Sequence, residues 1–296
     1  MSAAADSLIP NSRREARLIQ LRIGLRRVLR NPSTLVGGIL VLLLLVMAAL
    51  APFLATHDPM AQSLVDRLTP PGAQHWLGTD QLGRDIYSRL LYGAQPTLMI
   101  VILVIAFSAP LGLIIGMVAG YMGGWVESAL MRLTDIFMAF PRLILALALV
   151  SVLKPGLTNA VIAIAITAWP SYARLARAET LALRHADFVE AARGLGQTGT
   201  RIVIGQILPL CLSSAAIRAT LDMAGIILTA AGLGFLGLGA QPPMAEWGAM
   251  IGTGRDHIFD AWWVAAVPGI AILLVSLGFN LLGDGLRDVL DPKHHD

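Results

Sequence analysis

Asn31-Pro-Ser-Thr-Leu-Val-Gly-Gly-Ile-Leu-Val-Leu-Leu-Leu-Leu-Val-Met-Ala-Ala-Leu-Ala-Pro-Phe-Leu-Ala-Thr-His57 contains no Asp, Glu, Lys or Arg. A helix that crosses a bilayer needs about 20 mostly apolar residues, so this stretch reads as a span. Leu90–Val126, Pro155–Ala173, Met223–Ala245 and Ala261–Gly283 are free of charge in the same way. Ala129–Val152 hides a further candidate, because it contains Arg132, Asp135 and Arg142 before the purely apolar Leu143–Leu153. Over all 296 residues, 56% are hydrophobic and 14% charged, against about 25% charged in a soluble domain. A soluble fold would lack the polar surface it needs. The expectation is an all-α polytopic membrane protein with six transmembrane helices, near 33–55, 97–120, 130–152, 157–176, 209–236 and 262–284.

Charge placement orients the chain. Residues 1–32 hold Arg13, Arg14, Arg17, Arg22, Arg26, Arg27 and Arg30. With both termini in the cytoplasm, fifteen basic residues fall inside and five outside, these being Arg67, Arg84, Arg89, Lys154 and Arg255. The reading divides the chain into a cytoplasmic basic tail with an amphipathic helix (1–32), a first transmembrane helix (33–56), an extracytoplasmic loop (57–96), a five-helix core (97–285) with a cytoplasmic loop at about 180–207, and a cytoplasmic tail (286–296). The N-terminal helix, with Leu18, Leu21, Ile23, Leu25 and Val28 among arginines, suits the anionic inner leaflet. Ala49-Leu50-Ala51 matches a signal-cleavage pattern, but the apolar run is too long for a signal h-region, so an uncleaved anchor is expected. A net charge of +3 gives no case for nucleic acid.

No catalytic residue is expected. The two lysines, Lys154 and Lys293, sit in no phosphate-binding loop. His57, His75, His185, His257, His294 and His295 show no H-E-x-x-H spacing, and no G-x-S-x-G elbow occurs. Cys211 is the single cysteine. No metal and no cofactor of the chain's own is therefore expected. A membrane enzyme would need a nucleophile or metal set of another kind. A secondary transporter should carry ionisable groups within its spans. Here Arg218 and Asp222, at i,i+4, can pair on one helix face, as Arg132 and Asp135 can at i,i+3. Local charge neutralisation and a pore-facing role are both open for these groups.

The loop after the fourth span is the most informative. Asp187 can cap a helix that continues Phe188, Val189, Ala191, Ala192 and Leu195, and Gly194 and Gly196 can end it. Such a short helix with a small-residue centre can ornament a loop or dock into a groove of a partner. In the loop before span two, Leu82, Ile86, Leu90 and Leu91 share one helical face, with Arg84, Asp85 and Arg89 elsewhere and Tyr87 and Tyr92 suited to a membrane interface. An interfacial helix is expected there. The run Gly232, Gly234, Gly237, Gly239 should break span five at its outer end and line the outer part of a path. Trp262 and Trp263 are expected as interface anchors of span six, and Pro110, Pro141, Pro170 and Pro268 as kinks or hinges.

Glu190-Ala191-Ala192, Gly196 and Ile207-Leu208-Pro209 together resemble the EAA loop of ABC importer permeases. The aliphatic position expected at 206 is Gln206. Leu77-Gly78-Thr79-Asp80, Gly83-Arg84-Asp85 and Ser88-Arg89 resemble the segment before span two of the dipeptide/oligopeptide/nickel permeases. Gly120-Tyr121, Gly123-Gly124, Asp135-Ile136 before Pro141, Leu233 to Pro243, Glu246-Trp247-Gly248 and Asn280 to Pro292 extend the likeness over about residues 20–293, and it is to the C-type subunit. The resemblance implies a type I ABC importer permease fold in a bacterial cytoplasmic (inner) membrane. It implies a second homologous permease (a heterodimer), two cytoplasmic ABC ATPase subunits holding ATP and magnesium, and an extracytoplasmic substrate-binding protein. Glu190, Ala191, Ala192, Gly194 and Gly196 would contact the ATPase. Asp80, Arg84, Asp85 and Arg89 would lie at the binding-protein docking surface or simply anchor the loop. Arg218, Asp222, Gly234 and Gly237 would belong to the path. The implied cargo is a di- or oligopeptide, with nickel chelates, opines, glutathione and D,D-dipeptides as alternatives.

Overall fold

A computed structural model describes residues 31–290, so the amphipathic N-terminal helix and the end of the C-terminal tail lie outside the described residues. Helix α1, Pro32–Leu54, starts where Asn31 Oδ1 accepts from the Ser33 and Thr34 backbone N–H groups and Pro32 fills the first turn. Helix α2, Ile86–Met122, runs 37 residues, about 55 Å at 1.5 Å per residue, well beyond a bilayer core of about 30 Å. Its two ends therefore reach two separate layers of the molecule. One meets the 57–85 loop and the other packs against the 187–207 segment.

Helices α3 (Gly124–Met138) and α4 (Arg142–Leu153) follow, bent 88° to each other. The single third span expected at 130–152 is thus broken. Pro141 precedes α4 and disfavours helical geometry in the residue before it, which ends α3. Helix α5, Leu157–Leu183, then returns along α2. Helix α6 (Asp187–Gly194) and the single turn α7 (Gly199–Ile202) lead into a π-helical stretch, Val203–Ile207, and then α8, Leu208–Phe235. Pro209 explains the π turn. It has no N–H for the Gly205 carbonyl, and Leu208 N–H reaches Val203 O across five residues. Helix α9, Trp247–Gly254, folds back against α8, and α10, Trp263–Leu290, closes on α1 and α8.

Among the described residues four helices are long and apolar enough to cross a membrane, namely Pro32–Leu54, Ile86–Met122, Gly199–Phe235 and Trp263–Asp288, and the bent pair taken as one span would be a fifth. Helix α5 has the length but not the apolarity, because Arg174, Arg177 and Glu179 occupy its second half. Among the described residues of the 57–96 segment, a single 3-10 turn at Leu64–Asp66 is the only helical piece separate from α2. Asp85 Oδ2 accepts from Ser88 N–H at 2.8 Å and caps α2 directly, so Ile86, Leu90 and Leu91 open the long helix while Leu82 and Arg84 stay in the turn before it.

Close helix contacts follow rows of glycine. Gly112, Gly116 and Gly120 form a small-xxx-small ladder on α2, and a Cβ there would meet the α5 backbone or side chains at Trp169, Ala173 and Thr180. Gly37 and Gly278 do the same between α1 and α10. The apolar core divides into a large cluster among α1, α2, α4, α5, α8, α9 and α10 and a smaller one beneath α6.

Candidate functional site

Helix α6 is seated by its own chain. Val189 and Ala192 are buried among Leu113, Met117, Ala176, Ile202, Ile207 and Cys211. The capping residue is Ala186, whose side chain makes no cap, so Asp187 stands at the first helical position rather than in the cap. There Asp187 and Glu190 still favour the helix N-terminus through its dipole. Glu190 pairs with Arg193 at 2.8 Å, and the Arg193 guanidinium lies 5.5 Å from the Tyr121 ring. The helix closes in a Schellman motif. Gln197 N–H donates to Ala192 O and Gly196 N–H to Arg193 O, with Gly196 at φ +77°. Gly196 is thus a backbone requirement, whereas a Cβ on Gly194 would meet nothing. Ala192 faces inward, so its expected contact with a partner is corrected. The outward face carries Phe188, Ala191 and Leu195, spaced i, i+3, i+7, with Phe188 41% and Leu195 83% exposed. The sequence reading placed Phe188 and Leu195 on the helix but missed their outward direction, which depends on which face is buried.

A second polar site lies at the α3–α4 bend. Arg142 Nη1 is 2.8 Å from Asp222 Oδ1, across from α4 to α8. The pairing of Asp222 with Arg218 expected from i,i+4 spacing does not form. Asp222 is buried and turned toward α4, while Arg218 is exposed. Likewise Asp135 pairs with Arg174 of α5 at 2.7 Å, not with Arg132. Arg142, Arg218 and Asp222 line one cavity of about 240 Å³ with Phe137, Thr167 and Ser171. Arg142 Nε and Nη2 and Asp222 Oδ2 are buried without hydrogen-bond partners. The cavity can therefore accept further polar groups.

The glycine run after α8 splits in function. Leu238 N–H donates to Leu233 O and Gly237 N–H to Gly234 O, a second Schellman motif with Gly237 at φ +75°. Gly237 is exposed, and a Cβ there would meet nothing within 4 Å. Gly234 is enclosed instead, and a Cβ there would lie 2.2 Å from Glu246 Oε2. Glu246 caps α9 by accepting from the Gly248 and Ala249 N–H groups, each at 2.8 Å. Burial pushes its carboxyl up, partly countered by those two donors. Trp247 is buried on Gly93 and donates its indole N–H to Leu90 O at 3.0 Å.

Asp80, Arg84, Asp85 and Arg89 are all buried, so they form a scaffold under the 57–85 loop and not its contact surface. Asp80 accepts from Arg84 Nε at 2.7 Å and from the Leu82 and Arg84 backbone, and Arg89 Nη1 donates to Pro59 O at 2.9 Å. Trp263, expected as an interface anchor, is buried and donates to Thr79 O at 3.2 Å, while Trp262 is exposed. Trp263→Phe is expected to remove about 1 kcal/mol of stability with the lost hydrogen bond, read as a lower unfolding midpoint in detergent. An unchanged midpoint would refute that role.

Residues 112–295 match the family described as binding-protein-dependent transport system inner membrane component. Residues 20–71 match the N-terminal TM domain of oligopeptide transport permease C. The chain is 45% identical over 263 residues to the Probable D,D-dipeptide transport system permease protein DdpC of Escherichia coli, covering 89% of this chain and 88% of that one. It is 47% identical over 264 residues to the di/tripeptide transport system permease protein DppC of Pseudomonas aeruginosa, covering 87% of each. It is 44% identical over 269 residues to the glutathione transport system permease protein GsiD of Pectobacterium atrosepticum, covering 90% and 89%. A chain of the inward-facing MetNI methionine ABC transporter shares the fold with a TM-score of 0.57 at 20% identity, over 69% of this chain and 97% of that one. The outward helix face, the broken third span and these matches converge: the chain belongs to the binding-protein-dependent transport system inner membrane components and is a multi-pass inner-membrane permease subunit of an ABC importer.

Proposed function

We propose that this permease imports di- or oligopeptides by alternating access, with ATP and magnesium held by two separate cytoplasmic ABC ATPase subunits, one of them seated on α6. A second homologous permease completes the path, an extracytoplasmic binding protein delivers the cargo, and six spans keep both termini in the cytoplasm. The observation that carries the coupling part is the apolar stripe Phe188, Ala191 and Leu195 facing away from the body of the chain. An exposed apolar patch on a short, well-seated helix marks a protein contact. The peptide reading rests on the relative named for di/tripeptide transport, and the one named for D,D-dipeptide transport supports that alternative. The path reading rests on Arg142, Arg218 and Asp222, whose charges suit the termini of a zwitterionic peptide.

Phe188→Asp with Leu195→Asp is expected to strip the ATPase subunits from the purified complex. At about 2 kcal/mol per interface anchor, the two changes weaken docking about 10³-fold. The checks are co-purification and ATP-driven uptake, with size-exclusion chromatography to verify the fold. Full ATPase stoichiometry in the double variant would defeat the coupling proposal. Ala192→Trp is expected to act differently, by unseating α6 from its own chain. Uptake of labelled dipeptide by cells with and without this chain tests the cargo. Uptake of glutathione but not dipeptide would favour the reading that GsiD supports.

A further inference from the structure

Away from the coupling helix and the charged cavity, the outer loop end of the molecule gathers three metal-ligating side chains. His57 follows α1, His75 lies in the loop, and Asp85 caps α2. One ligand atom from each lies within 4.8 Å of the others. His75 Nδ1 is 2.9 Å and His57 Nδ1 3.8 Å from the same Asp85 oxygen, Oδ1, and the two imidazole rings stand 4.6 Å apart between centroids. Around a tetrahedral ion bound at about 2.0–2.1 Å, ligand atoms stand about 3.3–3.4 Å apart. The two distances to Asp85 Oδ1, 2.9 and 3.8 Å, bracket that spacing.

The backbone beneath them is fixed. His57 N–H donates to Ser88 Oγ at 3.0 Å, and Ser88 N–H donates to Asp85 Oδ2 at 2.8 Å. One serine therefore ties the end of α1 to the start of α2 and leaves Oδ1 to the histidines, with His75 Nδ1 in hydrogen-bond contact at 2.9 Å. The His75 carbonyl accepts from both Gly72 and Gly78 N–H. Such outer partners orient first ligands and strengthen a site. Arg84 and Arg89 are turned to Asp80, and the ionic partners of Asp85 are the two histidines. Thr56 Oγ1 contacts His57 Nδ1 at 3.0 Å and must rotate away to free that nitrogen. Accessibility is graded. The His57 side chain is 41% exposed, His75 12% and Asp85 1%. The three border a cleft of about 410 Å³ whose walls also include Asp58, Gln62, Asp66 and Gln74.

We propose that His57, His75 and Asp85 form a binding site for a divalent transition-metal ion on the extracytoplasmic loop. Two imidazoles and one carboxylate suit Zn²⁺, Ni²⁺ or Cu²⁺ and not the all-oxygen shells of Ca²⁺ or Mg²⁺. A bound ion would clip the end of α1, the loop and the cap of α2 together. The site stands on geometry alone and does not depend on the cargo or the coupling reading.

The test uses the full chain, purified without a polyhistidine tag, in detergent. Zn²⁺ binding is measured by equilibrium dialysis with metal analysis, and Co²⁺ is added for its visible ligand-field spectrum. The wild type is expected to bind one Zn²⁺ with a Co²⁺ band of low coordination number. His57→Gln and His75→Gln are each expected to weaken binding at least 10-fold, while His257→Gln and a joint His294→Gln and His295→Gln variant leave it unchanged. His57 is the exposed member, so if His75→Gln misfolds, His57→Gln decides alone. No stoichiometric Zn²⁺ in the wild type would overturn the site, as would unchanged affinity in His57→Gln.

Discussion

Gly116→Val is expected to leave little folded permease. A Cβ at Gly116 would lie 2.2 Å from Ala173 O, 2.7 Å from Ala176 Cβ and 2.9 Å from Arg177 N. Two of those atoms are backbone of α5 and cannot swing aside, so α2 and α5 must separate along their length. A radial gap of 0.5–1 Å already forfeits a quarter to a half of each dispersion contact, and membrane helices have little besides such packing to hold them together. The expected loss is about 3 kcal/mol or more. Gly112 and Gly120 give a graded series. Gly112 meets Trp169 O at 2.5 Å, whereas the nearest atom to Gly120 is Thr180 Cβ at 2.8 Å, so alanine should hurt in the order 116, 112, 120. Gly38 is the control, since a Cβ there meets nothing within 4 Å and alanine gains up to about 1 kcal/mol of helix propensity. Unfolding midpoints in detergent read the series. Gly116→Ala as stable as Gly38→Ala would contradict the account.

Asp222→Ala is expected to cost about 3 kcal/mol and to abolish transport. It leaves the Arg142 guanidinium, 26% exposed as a side chain, without its 2.8 Å partner inside a membrane-spanning region. An uncompensated arginine near a span centre costs about 2.5–3.5 kcal/mol, and breaking a buried pair from one side costs a similar amount. The double variant Arg142→Ala with Asp222→Ala removes both charges and is expected to be milder in stability than Asp222→Ala alone. That non-additivity separates a true pair from two independent effects. Uptake should stay low in the double variant if the pair lines the path. A double variant as unstable as the sum of the singles would remove the pair from the explanation.

Several expectations held because they rest on local chemistry. The apolar stretches became helices at Pro32–Leu54, Ile86–Met122, Leu208–Phe235 and Trp263–Leu290. Glycine runs ended α6 and α8, since a Schellman cap needs a residue that tolerates positive φ. The failures share another cause. Asp222 and Asp135 can each reach an arginine three or four residues away, but each pairs instead on another helix, with Arg142 and Arg174. Spacing along a helix says which pairs can meet and not which pair wins. The charges of the 57–85 loop were legible as a motif, yet their burial was not, because a loop folded over the start of α2 can bury side chains that an exposed helix would display.

The amino-acid sequence by itself determined the solvent of this protein, most of its helices, and the short helix at Asp187–Gly194. Each follows from properties a residue carries alone or shares with near neighbours: apolar surface, a missing N–H in proline, a missing Cβ in glycine. Only the tertiary structure decided that Ala192 is buried and Leu195 is not, that Gly116 meets the backbone of α5, that α3 and α4 break at 88°, and that His57, His75 and Asp85 converge. The reason is the same in each case. Contact distance between residues far apart in the chain is set by how helices settle against one another, and that arrangement optimises packing over the whole molecule at once.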